Sequence, residues 1–136
     1  MESAKAKILG ALIVVGILTG RRPAAAQASV NSLPKGVTPA MVEAGKQLFE
    51  GPGLCMACHG MDAKGAIGPD LTDTVWVHHK GSFEEIVEQV IRGIPEAESK
   101  SGNIMPPRGG STLTDDESRA VSAYVWALSH QGQRPN

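Results

Sequence analysis

Cys55-Met56-Ala57-Cys58-His59 is the stretch of this 136-residue chain that decides its fold. Two thiols one tight turn apart can add to the two vinyl groups of a haem, and the histidine that follows can then donate Nε2 to the iron. The C-x-x-C-H spacing is typical of such c-type haem attachment. It predicts that Cys55 and Cys58 hold one haem covalently and that His59 is an axial ligand of its iron.

Two other uses of these residues stay open. A zinc site would need a fourth ligand besides Cys55, Cys58 and His59, and His78 or His79 could supply it. A thioredoxin-like dithiol would need a βαβ context, which the sequence does not indicate. Because the chain has only two cysteines, three positions apart, a disulfide-stapled fold is excluded.

A second axial ligand is predicted at Met105, 46 positions after His59. That separation is long enough for the chain to wrap around a haem. Pro106 and Pro107 forbid a helix and stiffen an extended loop, so the methionine sulfur can be held in place. A thioether is a soft donor that favours ferrous iron, so a His/Met pair raises the reduction potential relative to two histidines. The two histidines named above remain the bis-histidine alternative.

The rest of the pattern predicts an all-α fold of three main helices joined by long loops, with no strand. Thr38, Ser82 and Thr114 are the expected N-caps. Loops this long in a small domain indicate that they wrap something. Apolar residues recur at helical spacing at Met41, Ala44, Gly45, Leu48 and Phe49, at Phe83, Ile86, Val87, Val90 and Ile91, and at Val121, Tyr124, Val125 and Leu128.

The N-terminal segment has the features of an export signal. Lys5 and Lys7 precede an apolar run at 8–18, and Ala26-Gln27-Ala28 matches an A-x-A cleavage site. We therefore expect a cleaved signal peptide and a periplasmic location.

An uncleaved membrane anchor is the alternative. Residues 8–20 would span only about 20 Å as a helix, less than the roughly 30 Å of the hydrocarbon core. Arg21 and Arg22 directly after this run are nevertheless unusual for an exported protein. The protein would contact a membrane only if this segment is retained or through a membrane complex. The expected organisation is a signal peptide or anchor at 1–28, a flexible lead at 29–37, a haem-binding domain at 38–130 and a tail at 131–136.

Charge and composition exclude one class of partner. The chain has a formal charge of −1. Removal of residues 1–28 leaves nine basic and thirteen acidic residues, or about −4. An acidic chain of this kind gives no electrostatic case for nucleic-acid binding. With only 4% aromatic residues, the core is expected to be thin and to need an apolar prosthetic group as filler.

These residues resemble class I cytochrome c over nearly all of 38–130. Gly45 and Phe49 are similar to the glycine and aromatic pair of the family's first helix. In that family the glycine lets the last helix cross closely, and the aromatic residue of that last helix would be Tyr124. The Met105-Pro106-Pro107 stretch looks especially like small bacterial cytochromes and the haem domains of oxidase subunits.

The resemblance also implies roles for two residues in the intervening loop. Gly68-Pro69-x-Leu71 resembles the segment whose proline carbonyl accepts the proximal histidine's Nδ1–H, so Pro69 would orient His59. Trp76 would contact a haem propionate, as aromatic residues in this loop do in relatives, or else be an ordinary core tryptophan. The acidic charge departs from the lysine ring with which mitochondrial-type members dock.

The expected function is that of a periplasmic mono-haem electron carrier, not an enzyme. Two filled axial positions leave no site for a substrate, so single electrons would pass between redox protein donors and acceptors. The alternative is a membrane-anchored haem subunit of a larger respiratory or photosynthetic complex. A gas sensor or peroxidase would require Met105 to be displaceable, and the two following prolines argue against that.

Overall fold

The computed structural model describes residues 33–130. The expected signal peptide or anchor, most of the lead and the tail lie outside the described residues. Four helices form this part of the chain, and the all-α prediction with three main helices is confirmed. The helices are α1 at Pro39–Glu50, α2 at Met56–His59, α3 at Phe83–Arg92 and α4 at Asp115–His130, with short 3₁₀ turns at Glu96–Glu98 and Pro107–Gly110.

Local hydrogen bonds define where the three main helices begin. The Thr38 side chain accepts a hydrogen bond from the first turn of α1. Ser82 and Glu85 exchange side-chain and backbone hydrogen bonds at the start of α3, which is a complete capping box. Thr114 and Glu117 do the same at the start of α4. These bonds satisfy backbone N–H groups that have no partner within the helix, so all three predicted N-caps are confirmed.

α1 and α4 cross in direct backbone contact at Gly45. A Cβ added at Gly45 would collide with the carbonyl oxygen of Ala120. One turn further along, the rings of Phe49 and Tyr124 meet edge to face with centroids 5.5 Å apart and planes at 67°. The close crossing that the family resemblance implied is therefore present, and it depends on the missing side chain at Gly45.

The core consists of two groups of buried residues on either side of α4. The larger group lies between α1, α3 and α4 and includes Phe49, Ile86, Val90, Val121 and Val125. The smaller group joins α3 to the chain just before α1 and consists of Val37, Phe83, Val87 and Ala123. The larger group also forms one wall of the cleft described below.

Two residues differ from the sequence expectation. Ala44 is exposed, because α1 meets α4 along a narrow strip in which only Gly45 and Phe49 are buried. Val37, expected in a flexible lead, is only 8% exposed and packs with the smaller core group, as does Leu33. The packed domain therefore includes the last residues of the segment assigned to the lead.

Within residues 33–130 the only β-type pairing is a single bridge between Ile94 and Met105. In the same part of the chain, no helix combines the length and apolar character needed to cross a bilayer.

We expect Gly45→Ala to destabilise the domain by about 1–3 kcal/mol, the usual cost of forcing extra atoms into a packed contact. Helix propensity alone would make alanine at this position stabilising by roughly 1 kcal/mol. The expected change in the free energy of unfolding therefore has the opposite sign to the intrinsic preference. Denaturant unfolding measures the effect, with Ala44→Ser at the exposed neighbouring position as the control. A Gly45→Ala protein as stable as the wild type would contradict the close crossing.

Candidate functional site

An open cleft lies between the larger core group, the loop after α2 and the loop before α4. Its space, counting the open mouth, is about 1010 Å³. The wall is mainly apolar and contains no Asp, Glu, Lys or Arg side chain. All six predicted cofactor-binding residues line this one cleft: Cys55, Cys58, His59, Pro69, Trp76 and Met105.

The C-x-x-C-H stretch forms the single-turn helix α2, and the loop after it folds back over its end. The backbone N–H groups of Ile67 and Gly68 donate to the Cys58 carbonyl at 3.0 and 2.8 Å, and that of Gly65 donates to the His59 carbonyl at 2.8 Å. These bonds satisfy carbonyl groups that the short helix leaves free. They also bring the following residue, Pro69, against the His59 ring.

His59 is held as a neutral imidazole with its proton on Nδ1. The ring is buried, and Nδ1 lies 2.9 Å from the Pro69 carbonyl oxygen. Because a carbonyl oxygen can only accept, Nδ1 donates and Nε2 keeps its lone pair. Burial lowers the pKa of His59, and the Pro69 hydrogen bond opposes that shift only in part. The imidazole is thus prepared to donate Nε2 to a metal.

The environment of the Cys55 thiol differs from that of a redox-active thiol. The Cys55 Sγ donates to the Gly53 carbonyl at 3.4 Å, and burial raises the pKa of Cys55 to about 11. No disulfide joins Cys55 to Cys58. Dithiol catalysts instead use a thiol with a lowered pKa. The dithiol alternative therefore has no support in the site geometry.

The zinc alternative also lacks its ligand set. Among residues 33–130, no three His, Cys, Asp or Glu side chains gather into a group that could hold a metal ion. His78 and His79 line the cleft but do not join the two cysteines and His59 in such a group. A structural zinc site needs four ligands in tetrahedral arrangement.

Met105 lines the cleft from the loop between α3 and α4, and its backbone pairs with Ile94, two residues after the end of α3. Its N–H and C=O pair with those of Ile94 at 3.0 and 2.7 Å. Gly93 just before has a φ of 72°, and a Cβ there would lie 2.6 Å from the Pro107 nitrogen. The loop that carries Met105 and its two prolines can therefore pack against α3 only because Gly93 has no side chain.

Asn103 joins the two loops that border the cleft. Its side-chain nitrogen donates to the Ile67 carbonyl at 2.9 Å, across 36 positions of sequence. The Ser99 hydroxyl donates to the Asn103 carbonyl at 2.6 Å and stiffens this part of the loop. Sequence analysis missed Asn103, because an asparagine in a polar loop carries no periodicity that reveals a distant partner.

Trp76 and His79 form a stacked pair at the cleft wall. Their ring centroids are 4.8 Å apart with planes at 28°. The Gly81 N–H donates to His79 Nδ1 at 2.9 Å, and a Cβ at Gly81 would collide with the Trp76 ring. Burial lowers the pKa of His79, and the nearby Glu85 carboxylate opposes that shift. One ring nitrogen of His79 is thus already engaged by backbone.

Comparison with known protein families identifies a match over most of the described domain. The family description "Cytochrome C oxidase, cbb3-type, subunit III" matches residues 40–125. The cbb3-type cytochrome c oxidase subunit CcoP of Rubrivivax gelatinosus is 36% identical over 92 residues, which are 67% of this chain and 27% of that protein. The subunit FixPc of Rhizobium leguminosarum bv. viciae is 38% identical over 93 residues, 66% of this chain and 29% of that protein.

A solved structure shares the fold. Cytochrome cL from Methylophaga aminisulfidivorans MPT superimposes with a TM-score of 0.54 at 24% identity, covering 82% of this chain and 70% of that one. At this level of identity the likeness concerns the fold alone, and it supports the all-α architecture. The chain spans less than a third of the length of the two curated oxidase subunits named above.

We expect Gly68→Ala to disturb His59 selectively. The new Cβ would lie 2.8 Å from His59 Cε1 and 2.9 Å from Nδ1, so the ring or the Pro69 loop must move. Such overpacking costs about 1–3 kcal/mol, which unfolding of the haem-loaded protein by denaturant measures. Ala66→Ser, at an exposed position two residues earlier, is the control. Equal unfolding midpoints for the two variants would show that Gly68 does not pack against the ring.

Proposed function

The chain belongs to the cytochrome c family of cbb3-type oxidase subunit III, and on that premise we propose that it is the electron-transferring haem subunit of a membrane-bound respiratory oxidase. The family carries covalent haem c, and one C-x-x-C-H stretch is present for one such group. The observation that carries the proposal is the convergence of both predicted axial ligands and both attachment thiols on one apolar cleft.

The residues of the cleft fit a haem. Cys55 and Cys58 would attach it from a single helical turn, and His59 presents a neutral imidazole fixed by Pro69. The uncharged wall suits a flat apolar macrocycle. When bound, the haem iron supplies a ferric/ferrous couple that takes up and releases one electron.

The chain's own residues determine what that couple is used for. His59 and Met105 would both ligate the haem iron, which would leave no coordination site for oxygen, peroxide or another substrate. The loop carrying Met105 is fixed to Ile94, which opposes displacement of its sulfur. Trp76, which lines the cleft and stacks on His79, would contact a haem propionate. We therefore infer electron transfer without catalysis.

The relatives support the subunit over the free carrier that sequence analysis placed first. The two curated relatives named above are subunits of cbb3-type cytochrome c oxidases, and the matching family is a subunit of the same enzyme. This chain covers 27% and 29% of the length of those proteins. The proposal that it is a subunit of an oxidase complex therefore rests on the shared haem domain. The free periplasmic carrier remains the second candidate, favoured by the A-x-A pattern at Ala26-Gln27-Ala28.

The first test is the visible spectrum of protein produced in a host that attaches haem c. We expect low-spin bands on reduction and a weak sulfur-to-iron charge-transfer band in the oxidised protein. Met105→Ala should keep the covalent haem, lose that band and lower the reduction potential, because a soft sulfur ligand favours ferrous iron.

Met61→Ala is the matched control, since Met61 is 78% exposed and lies outside the cleft wall. A Met105→Ala spectrum and potential equal to those of the wild type would exclude Met105 as the ligand. Low-spin bands in the wild type without the charge-transfer band would instead favour His78 or His79. A protein without haem would refute the proposed function.

The second test separates the subunit from the free carrier. For the subunit, we expect the protein in the membrane fraction of its native cells, with residues 8–20 retained or with an oxidase copurifying. For the free carrier, we expect soluble protein whose N-terminus, read by sequencing, is Ser29. A soluble protein with a cleaved leader and no associated oxidase would reject the subunit proposal and leave electron transfer intact.

A further inference from the structure

Gln89 is the polar residue of α3 that faces the cleft. It lies about one turn after Ile86, at the edge of the buried apolar face of the helix, and it is half-buried. Its side-chain nitrogen lies 3.7 Å from the sulfur of Met105, within hydrogen-bonding range for a sulfur acceptor. A polar side chain on an apolar face loses water contacts, so a partner inside the fold must compensate.

The surroundings of Gln89 determine which end of its amide faces the sulfur. A thioether sulfur can only accept, so the amide nitrogen must face Met105. His79, whose Nδ1 accepts from the Gly81 N–H, lines the same cleft.

We propose that Gln89 is a positioning residue for the axial sulfur: its N–H fixes the orientation of the Met105 side chain and reduces the electron density that the sulfur can donate. The inference rests on the proposed ligation by Met105. It adds a second group, from α3, to the backbone pairing with Ile94 that fixes the same residue.

Two physical effects follow from this contact. Methionine has three rotatable side-chain bonds, so backbone pairing alone leaves its sulfur free to turn. A hydrogen bond to one lone pair of the sulfur selects which lone pair would face the iron. The N–H also directs its positive end toward the ligand, which disfavours the additional positive charge of the ferric state. The second effect stabilises the ferrous form relative to the ferric form, so Gln89 raises the reduction potential.

The test is Gln89→Leu in the haem-loaded full chain, with Gln47→Leu as the matched control at an exposed position of α1. We expect Gln89→Leu to lower the midpoint potential and to weaken or shift the sulfur-to-iron charge-transfer band, with covalent haem content unchanged.

Gln89→Glu is the second variant, for the case in which leucine disturbs folding. Its carboxylate keeps the size of the side chain, has no N–H, and places a negative charge near the ligand, so the potential should fall further than in Gln89→Leu. Potentials and bands equal to those of Gln47→Leu in both variants would overturn the role of Gln89.

Measurement of Met105→Ala in the same series separates the two inferences. If Met105→Ala leaves the spectrum unchanged, the proposed ligation fails and the Gln89 proposal fails with it. If Met105→Ala removes the charge-transfer band but the Gln89 variants behave like Gln47→Leu, only the positioning role is lost.

Discussion

The close crossing of α1 over α4 at Gly45 is the constraint on which the cleft depends. Direct contact with the Ala120 backbone brings Phe49 against Tyr124, and the same packing places Phe49, Val121 and Val125 at the cleft wall. A side chain at this one position would separate the two helices that support the wall. The site therefore depends on a contact between elements far apart in sequence.

The two sides of the cleft are positioned in different ways. On the His59 side, the contacts that position the ring are local in sequence, because α2, the loop that caps it and Pro69 form one short continuous stretch. On the Met105 side, the contacts are between segments distant in sequence, because the loop pairs with Ile94, packs against Gly93 and contacts Gln89 of α3. Asn103 then joins the two sides through Ile67. Separate sets of contacts therefore hold the two proposed ligands, His59 and Met105.

Much of the fold was predictable because it is encoded in short-range patterns. Thr38, Ser82 and Thr114 cap helices by bonding to backbone a few residues away, so their role is visible without knowledge of distant contacts. The exposure of Ala44 and the burial of Val37 were not predictable in this way. Periodicity shows that a helix has an apolar face, but the width of the buried strip depends on how closely the neighbouring helix approaches.

The sequence alone was enough to predict the chemistry of the site, because the features that predict it are local: the C-x-x-C-H spacing, a methionine followed by two prolines, and a proline ten residues after His59. Which polar residues lie beside these features depends on the tertiary packing. Gln89 stands at the edge of the apolar face of its helix, and its partner could not be read from the pattern. Asn103 lies in a polar loop and had no sequence pattern that marked it. A hydrogen bond between residues 16 or 36 positions apart exists only once packing has fixed both partners, and no local periodicity records that distance.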